Sequence, residues 1–157
     1  MKIRTAQEKD IDKILALLSQ VLELHAAIRP DIFVPGTTKY SHDELKAMFR
    51  EENRRIYVAV DDKDEVLGYA FCELRSQKNR DNLVPFTSIY IDDLCVDETI
   101  RGQHIGKELF EQVRKEASAM GCFEITLNVW EGNDTARKFY DSMGFKPKST
   151  TMEYILE

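Results

Sequence analysis

No stretch of this sequence approaches the ~18 consecutive apolar residues that would cross a bilayer, and its start carries no signal-peptide pattern. A membrane is therefore not an expected partner. Cysteine is scarce, with only Cys72, Cys95 and Cys122 in 157 residues. They lie in apolar runs without metal-ligand spacing, so no metal site and no disulfide framework is expected. Buried free thiols in a reducing, cytoplasmic setting are the reading instead. A basic patch is also missing. The formal net charge is -6, and nucleic acid is not an expected partner. No internal repeat, linker or low-complexity segment divides the chain, so residues 1–157 read as a single domain with a real hydrophobic core. Two phosphate signatures are absent too. There is no G-x-x-x-x-G-K-[ST] loop and no G-x-G-x-x-G fingerprint.

What is present is a soluble, globular pattern, 43% apolar and 32% charged. Lys2–Ala6 reads as a first strand. Asp10 is placed to cap an amphipathic helix to about Ala27, in which Ile11, Ile14, Leu15, Leu18, Val21 and Leu22 recur at helical spacing. Ser41 and Glu44 have the spacing of a capping box for a second helix through Phe49. The irregular stretch between the helices, with His25, Phe33 and Tyr40, is of the kind that covers an acceptor site. Three strands follow: Arg55–Val60, Val66–Leu74 and Phe86–Val96. Consecutive strands after two helices favour a mixed, mostly antiparallel sheet. A helix from about His104 to Met120 and a strand Phe123–Val129 complete a β-α-β unit. A last helix starts at Asn133-Asp134, and a hairpin from Phe145 to Thr151–Leu156 is expected to close the sheet.

The chemistry points to the junction after Val96. The loop Arg101-Gly102-Gln103-His104-Ile105-Gly106-Lys107 opens directly into a helix. A helix start offers free backbone N–H groups and the positive end of the dipole, which together make an anion site. Arg101 and Lys107 gain nothing from that dipole, so a negative partner accounts for them. A second constellation follows: Asn133-x-x-Ala136-x-x-Phe139-Tyr140-x-x-x-Gly144-Phe145.

Together the two motifs resemble the GNAT superfamily of N-acetyltransferases, whose phosphate loop reads [Q/R]-x-x-G-x-[G/A] and whose last helix carries N-x-x-A-x-x-F-Y…G-F. The order of elements matches over essentially the whole chain. The resemblance implies an α/β fold of the α+β type. Its central sheet would be mixed and mostly antiparallel, with about 6–7 strands, helices on both faces and a V splayed between the fourth and fifth strands. It implies acetyl-CoA as cosubstrate and no metal. Arg101 through Lys107 would hold the pyrophosphate; Leu94, Cys95 and Val96 would pair with the pantetheine arm as a peptide pairs with a sheet edge. Asn133 and Ala136 belong to the same cofactor motif. His104 departs from it, standing where glycine is usual. Its N–H alone is expected to suffice.

Transfer to an amine needs a neutral nucleophile and a stabilised thiolate. Tyr140 occupies the family's position for an acid beside the sulfur. Asp92, Asp93 and Glu73 are the candidates to receive the amine proton and to favour a cationic acceptor. Alternation sends Asp92 and Asp93 to opposite faces, so at most one is expected in the site unless a bulge intervenes. Asn128 stands where members that acetylate protein N-termini carry Glu, and Trp130 is a candidate pocket wall. The acceptor is expected to be a small-molecule or peptide amine, and the closing hairpin offers a homodimer contact. The alternatives are transfer of another acyl group and a CoA-binding regulatory module without catalysis.

Overall fold

β1 (Lys2–Thr5), β2 (Arg54–Val60), β3 (Val66–Gln77), β4 (Phe86–Val96) and β5 (Glu124–Leu127) form one sheet in that order. They belong to a computed structural model that describes residues 1–157. The first three pairings are antiparallel and β4–β5 is parallel. The parallel step is made through α3 (Ile105–Ala119), as the β-α-β reading requires.

Helices cover both faces because the strands carry apolar residues on both. On one face α1 (Ile11–Ile28) and α2 (His42–Met48) bury Ile11, Ile14, Leu18, Leu45 and Met48 against Val58, Tyr69 and Phe71. On the other, Ile105, Leu109 and Val113 of α3 pack on Ala59, Ala70, Ile89 and Ile91. Burying each such side chain contributes about 1.5–3 kcal/mol. A fourth helix, α4 (Asp134–Ser142), lies on the α3 side, where Met143 and Phe145 join that second cluster.

The capping box before α2 is formed: the Glu44 N–H donates to Ser41 Oγ at 3.1 Å, and the Ser41 N–H donates to Glu44 Oε1 at 3.3 Å. Asp10 is at the start of α1 as expected, yet its side chain makes no cap bond there. Its two oxygens take the Arg4 guanidinium at 2.8 and 2.9 Å, and the Gln7 N–H adds 2.7 Å. A bidentate charged pair outweighs a single cap bond.

The sheet has five strands rather than six or seven. The difference is the closing hairpin. Residues 145–157 form no strand, and no backbone hydrogen bond involves a residue beyond Phe145. Pro147 has no N–H to give a ladder. Ser149-Thr150 also lacks the Asn or Gly that a two-residue hairpin turn demands.

Candidate active site

β4 and β5 pair only from Ser88↔Glu124 to Ile91↔Leu127. Beyond Ile91, β4 continues to Val96 bonded to β3 alone. The two strands therefore part at Asp92, and the outward backbone groups of Leu94, Cys95 and Val96 border an open V.

A β-bulge sits at the same point. Phe71 faces Asp93 and Cys72 faces Ile91, which leaves Asp92 as the extra residue of β4. The bulge reverses the alternation. Before it, Ile89 and Ile91 belong to the α3 core; after it, Cys95 belongs to the α1 core while Leu94 and Val96 turn to α3. Asp92 and Asp93 consequently share one face, the α1–α2 side. This is the case that the alternation rule excepts: the extra residue of the bulge is the physical reason that the two aspartates are not separated.

Each carboxylate has its own partners. Asp92 accepts from the Tyr40 hydroxyl at 2.5 Å and from Lys39 Nζ at 2.9 Å. Asp93 accepts from the Tyr69 hydroxyl at 2.7 Å. The fork leaves the Asp93 residue partly accessible, but protein surrounds its carboxylate. Desolvation, with Asp92's charge adding to it, raises its pKa to about 6 against the relief from Tyr69 and Lys39. That value suits a base operating near neutral pH. Burial first, then the nearby aspartates, likewise holds Tyr69 and Tyr40 protonated.

Glu73 is committed elsewhere, 3.6 Å from Arg54 and 3.2 Å from Arg75. Arg54 in turn lies close enough to Tyr40 to influence its ionisation, so Glu73 reaches Asp92 only through others. Trp130 lies beyond the end of β5 and is exposed. Its ring meets Phe33 edge-on at 5.3 Å, Phe33 meets His25 at 5.1 Å, and the Arg29 guanidinium lies 6.0 Å from the Trp130 ring centre. Asn128 is exposed and donates to the Tyr90 hydroxyl at 3.1 Å.

The anion loop closes the other side. None of the backbone N–H groups from Arg101 to Lys107 has an acceptor within the protein. Arg101 and Lys107 are exposed and without a carboxylate partner. His104 has φ 60 and ψ 15, the left-handed region where the family pattern places glycine. The position thus keeps its unusual backbone with a histidine in it, a residue tolerated there more often than most. Gly106 is needed for space instead: a Cβ there would stand 3.2 Å from the Phe139 ring and 3.7 Å from Val96. Loop, β4 and α4 meet at this glycine, which brings the two sequence motifs together in space.

On α4, the Asn133 side chain accepts the Ala136 N–H at 3.2 Å, so its oxygen caps the helix. Ala136 is half-buried in the first turn. Tyr140 is half-buried, edge-on to Phe139 and Phe145, and its hydroxyl has no hydrogen-bond partner in the protein. Burial, and then the charge of Asp93, keeps this phenol protonated well above the usual range. Sequence reasoning missed Tyr69 and Lys39. Tyr69 sits in an ordinary apolar strand and Lys39 in a loop without a motif; only the bulge brings the aspartates to them.

The fold has counterparts among known proteins. The chain belongs to the acetyltransferase (GNAT) family, whose model matches residues 18–145. It is 28% identical to the peptidyl-lysine N-acetyltransferase YjaB of Salmonella typhimurium over 146 residues, covering 93% of this chain and 83% of that protein. A probable glucosamine 6-phosphate N-acetyltransferase of Drosophila melanogaster is 25% identical, over 92% of this chain and 60% of that protein. Among solved structures, a mutant of the BH1408 protein of Bacillus halodurans superposes with a TM-score of 0.96 at 32% identity, covering 100% of both chains. The family uses acetyl-CoA as cosubstrate. No cluster of three metal-ligating side chains occurs in the chain, and no helix is long and apolar enough to cross a membrane.

Proposed function

We propose that the chain moves an acetyl group from acetyl-CoA to a primary amine by direct transfer within a ternary complex. The observation that carries this reading is the convergence of Asp92 and Asp93 on one face where β4 leaves β5. The residues fit the cosubstrate. The unpartnered N–H groups of Arg101, Gly102, Gln103, His104, Ile105, Gly106 and Lys107 match a pyrophosphate, helped by two free cations. The unpaired edge of Leu94, Cys95 and Val96 matches the amide-bearing arm. Asn133 and Ala136 border the same channel at the start of α4. When bound, the cosubstrate supplies an activated acetyl thioester.

The chain's own residues then divide the work. Asp92 and Asp93 attract a cationic amine, and Asp93, with its raised pKa, takes up the proton that the amine must lose. Glu73, Asn128 and Trp130 shape the acceptor side. Tyr140 offers its hydroxyl to the developing thiolate. Its raised pKa makes it a hydrogen-bond donor that keeps its own proton, because a thiol of pKa near ~8.5 is the stronger acid. The acidic lining favours cationic small-molecule or peptide amines over phosphorylated ones. We place the enzyme in the cytoplasm, which suits three unpaired thiols, two of them buried, and read it as a homodimer.

Thermal-shift titration with CoA and acetyl-CoA, followed by an amine panel read by thiol release, tests the reading. Stabilisation by both nucleotides and release with a cationic amine are expected. CoA binding without release by any amine would leave a regulatory module in its place, and tighter use of a longer acyl-CoA would replace the acetyl group. No CoA binding at all would overturn all three.

A further inference from the structure

The fork already holds an amine, and the chain itself supplies it. Lys39 Nζ lies 2.9 Å from Asp92 Oδ1. Five lysines form ion pairs: Lys9, Lys13, Lys39, Lys46 and Lys148. Of these, Lys39 alone meets a carboxylate of the fork.

The loop between α1 and α2 delivers it there. Tyr40, the next residue, donates its hydroxyl to the second Asp92 oxygen at 2.5 Å, and its ring packs on Phe71 at 5.8 Å. Thr38, on the other side, donates its hydroxyl to the Tyr40 carbonyl oxygen at 2.8 Å. The chain is thus held on both sides of Lys39, and one carboxylate receives two neighbouring side chains. The Lys39 side chain is 45% exposed against 14% for that of Asp92, so its ammonium can leave the pair without disturbing the core. Asp93 shares this face because of the bulge. The charge of Lys39 acts on Asp93, and the charge of Asp93 acts on Tyr140. Ammonium, base and phenol are neighbours across the fork.

We propose that Lys39 is the chain's own acceptor, its Nζ taking an acetyl group from acetyl-CoA within the same molecule. This rests on the transferase reading of the site and gives it a residue as target. One ammonium proton passes to Asp93 and on to water. The neutral Nζ then bonds the acetyl carbonyl carbon, the bond from that carbon to sulfur breaks, and its electron pair leaves with the sulfur. The second proton shed by the nitrogen ends on that thiolate, giving free CoA. An amine tethered beside the carboxylates needs no encounter from solution. The amide that results carries no charge, so Asp92 loses its cation and is free for the ammonium of an outside amine. Self-acetylation therefore opens an acceptor site that Lys39 otherwise occupies.

Incubating the full chain with acetyl-CoA and no amine, then mapping its peptides by mass spectrometry, tests this. One acetyl group on Lys39 is expected, formed at a first-order rate independent of protein concentration. Lys63 and Lys115, both exposed, report uncatalysed acetylation and should lag far behind. Asp93→Asn should lose the mark. Thiol release with a cationic amine should start slowly and accelerate, and prior incubation with acetyl-CoA should remove the delay. Lys39→Arg, which keeps the cation, should hold the slow rate throughout. Lys39→Gln, neutral from the start, should show no delay and a KM about fivefold lower, the strength of one partly exposed ion pair. An unmodified Lys39 beside normal turnover of an outside amine would overturn the proposal and leave the transferase standing. Neither a mark nor thiol release with any amine would overturn both. Equal marks on Lys39, Lys63 and Lys115, a mark that survives Asp93→Asn, or a rate that rises with protein concentration would also overturn it. A marked Lys39 with an unchanged KM would overturn the opening of the site. The mapping needs no variant, so a misfolded substitution does not rescue the proposal.

Discussion

Replacing Asp93 with Asn separates the stability of the site from its chemistry. The folded protein holds this carboxyl at about 6 against an ordinary 3.8. Burial is the main cause, so the ionised form is what the native state disfavours. At pH values below the unfolded pKa both states are protonated and nothing is lost. As pH rises through the window from 3.8 to about 6 the native state holds its proton longer than the unfolded one, and stability falls. Above that window the full cost is present. Two pH units correspond to roughly 3 kcal/mol as an upper bound, and partial exposure at the fork reduces it to about 1–2 kcal/mol. Asn keeps an oxygen for the Tyr69 hydroxyl and carries no charge. Asp93→Asn is therefore expected to raise the melting temperature by about 2–6 °C near pH 7.5. The gain should vanish near pH 4, below the rise. Melting curves by circular dichroism across this range measure it. In parallel, the rate of thiol release should lose its acid limb near pH 6 together with most of kcat. A variant less stable than wild type at pH 7.5, or a gap that ignores pH, would refute the burial argument. An unchanged rate profile would refute the base.

Three further outcomes are expected. Tyr140→Phe should lower kcat by about 10²-fold with KM nearly unchanged, the loss of one hydrogen-bond donor to the departing thiolate in the proposed mechanism; unaltered thiol release would remove the role. His104→Gly should relieve a left-handed residue. The gain of about 1–2 kcal/mol is partly offset by glycine's greater unfolded freedom, leaving a net stabilisation of about 0.5–1 kcal/mol in denaturant titration and no loss of acetyl-CoA affinity. Gly68→Ala should destabilise by about 1–3 kcal/mol, because its Cβ would stand 2.6 Å from the Cys95 carbonyl oxygen. A near-neutral melting curve for that variant would mean that β3 and β4 can separate without cost.

The elements were largely legible, and the residues show why. Ser41 and Glu44, the alternation of Ile56, Val58 and Val60 in β2, and the spacing of Ile105, Leu109 and Val113 are local signals acting over one or two turns. The loop and the α4 motif were legible as chemistry, and the close approach of Gly106 to Phe139 brings them together in space. Asp10 misled because Arg4, six residues away, competes for it with better geometry. The hairpin misled because Thr151–Leu156 has a strand's alternation but no turn to fold it back.

The sequence by itself determined the family, the order of helices and strands, and the anion loop. These rest on neighbours in the chain and on residue types that few other contexts would require. Tertiary structure decided the rest. The bulge at Asp92 exists only in the register between β3 and β4, and it turns two carboxylates to one face. Asp93's pKa depends on what surrounds it, and Tyr69 and Lys39 are brought in from 24 and 54 residues away in the chain. A sequence states which groups can carry charge; only packing settles which lose their water, and here it takes the water from Asp93.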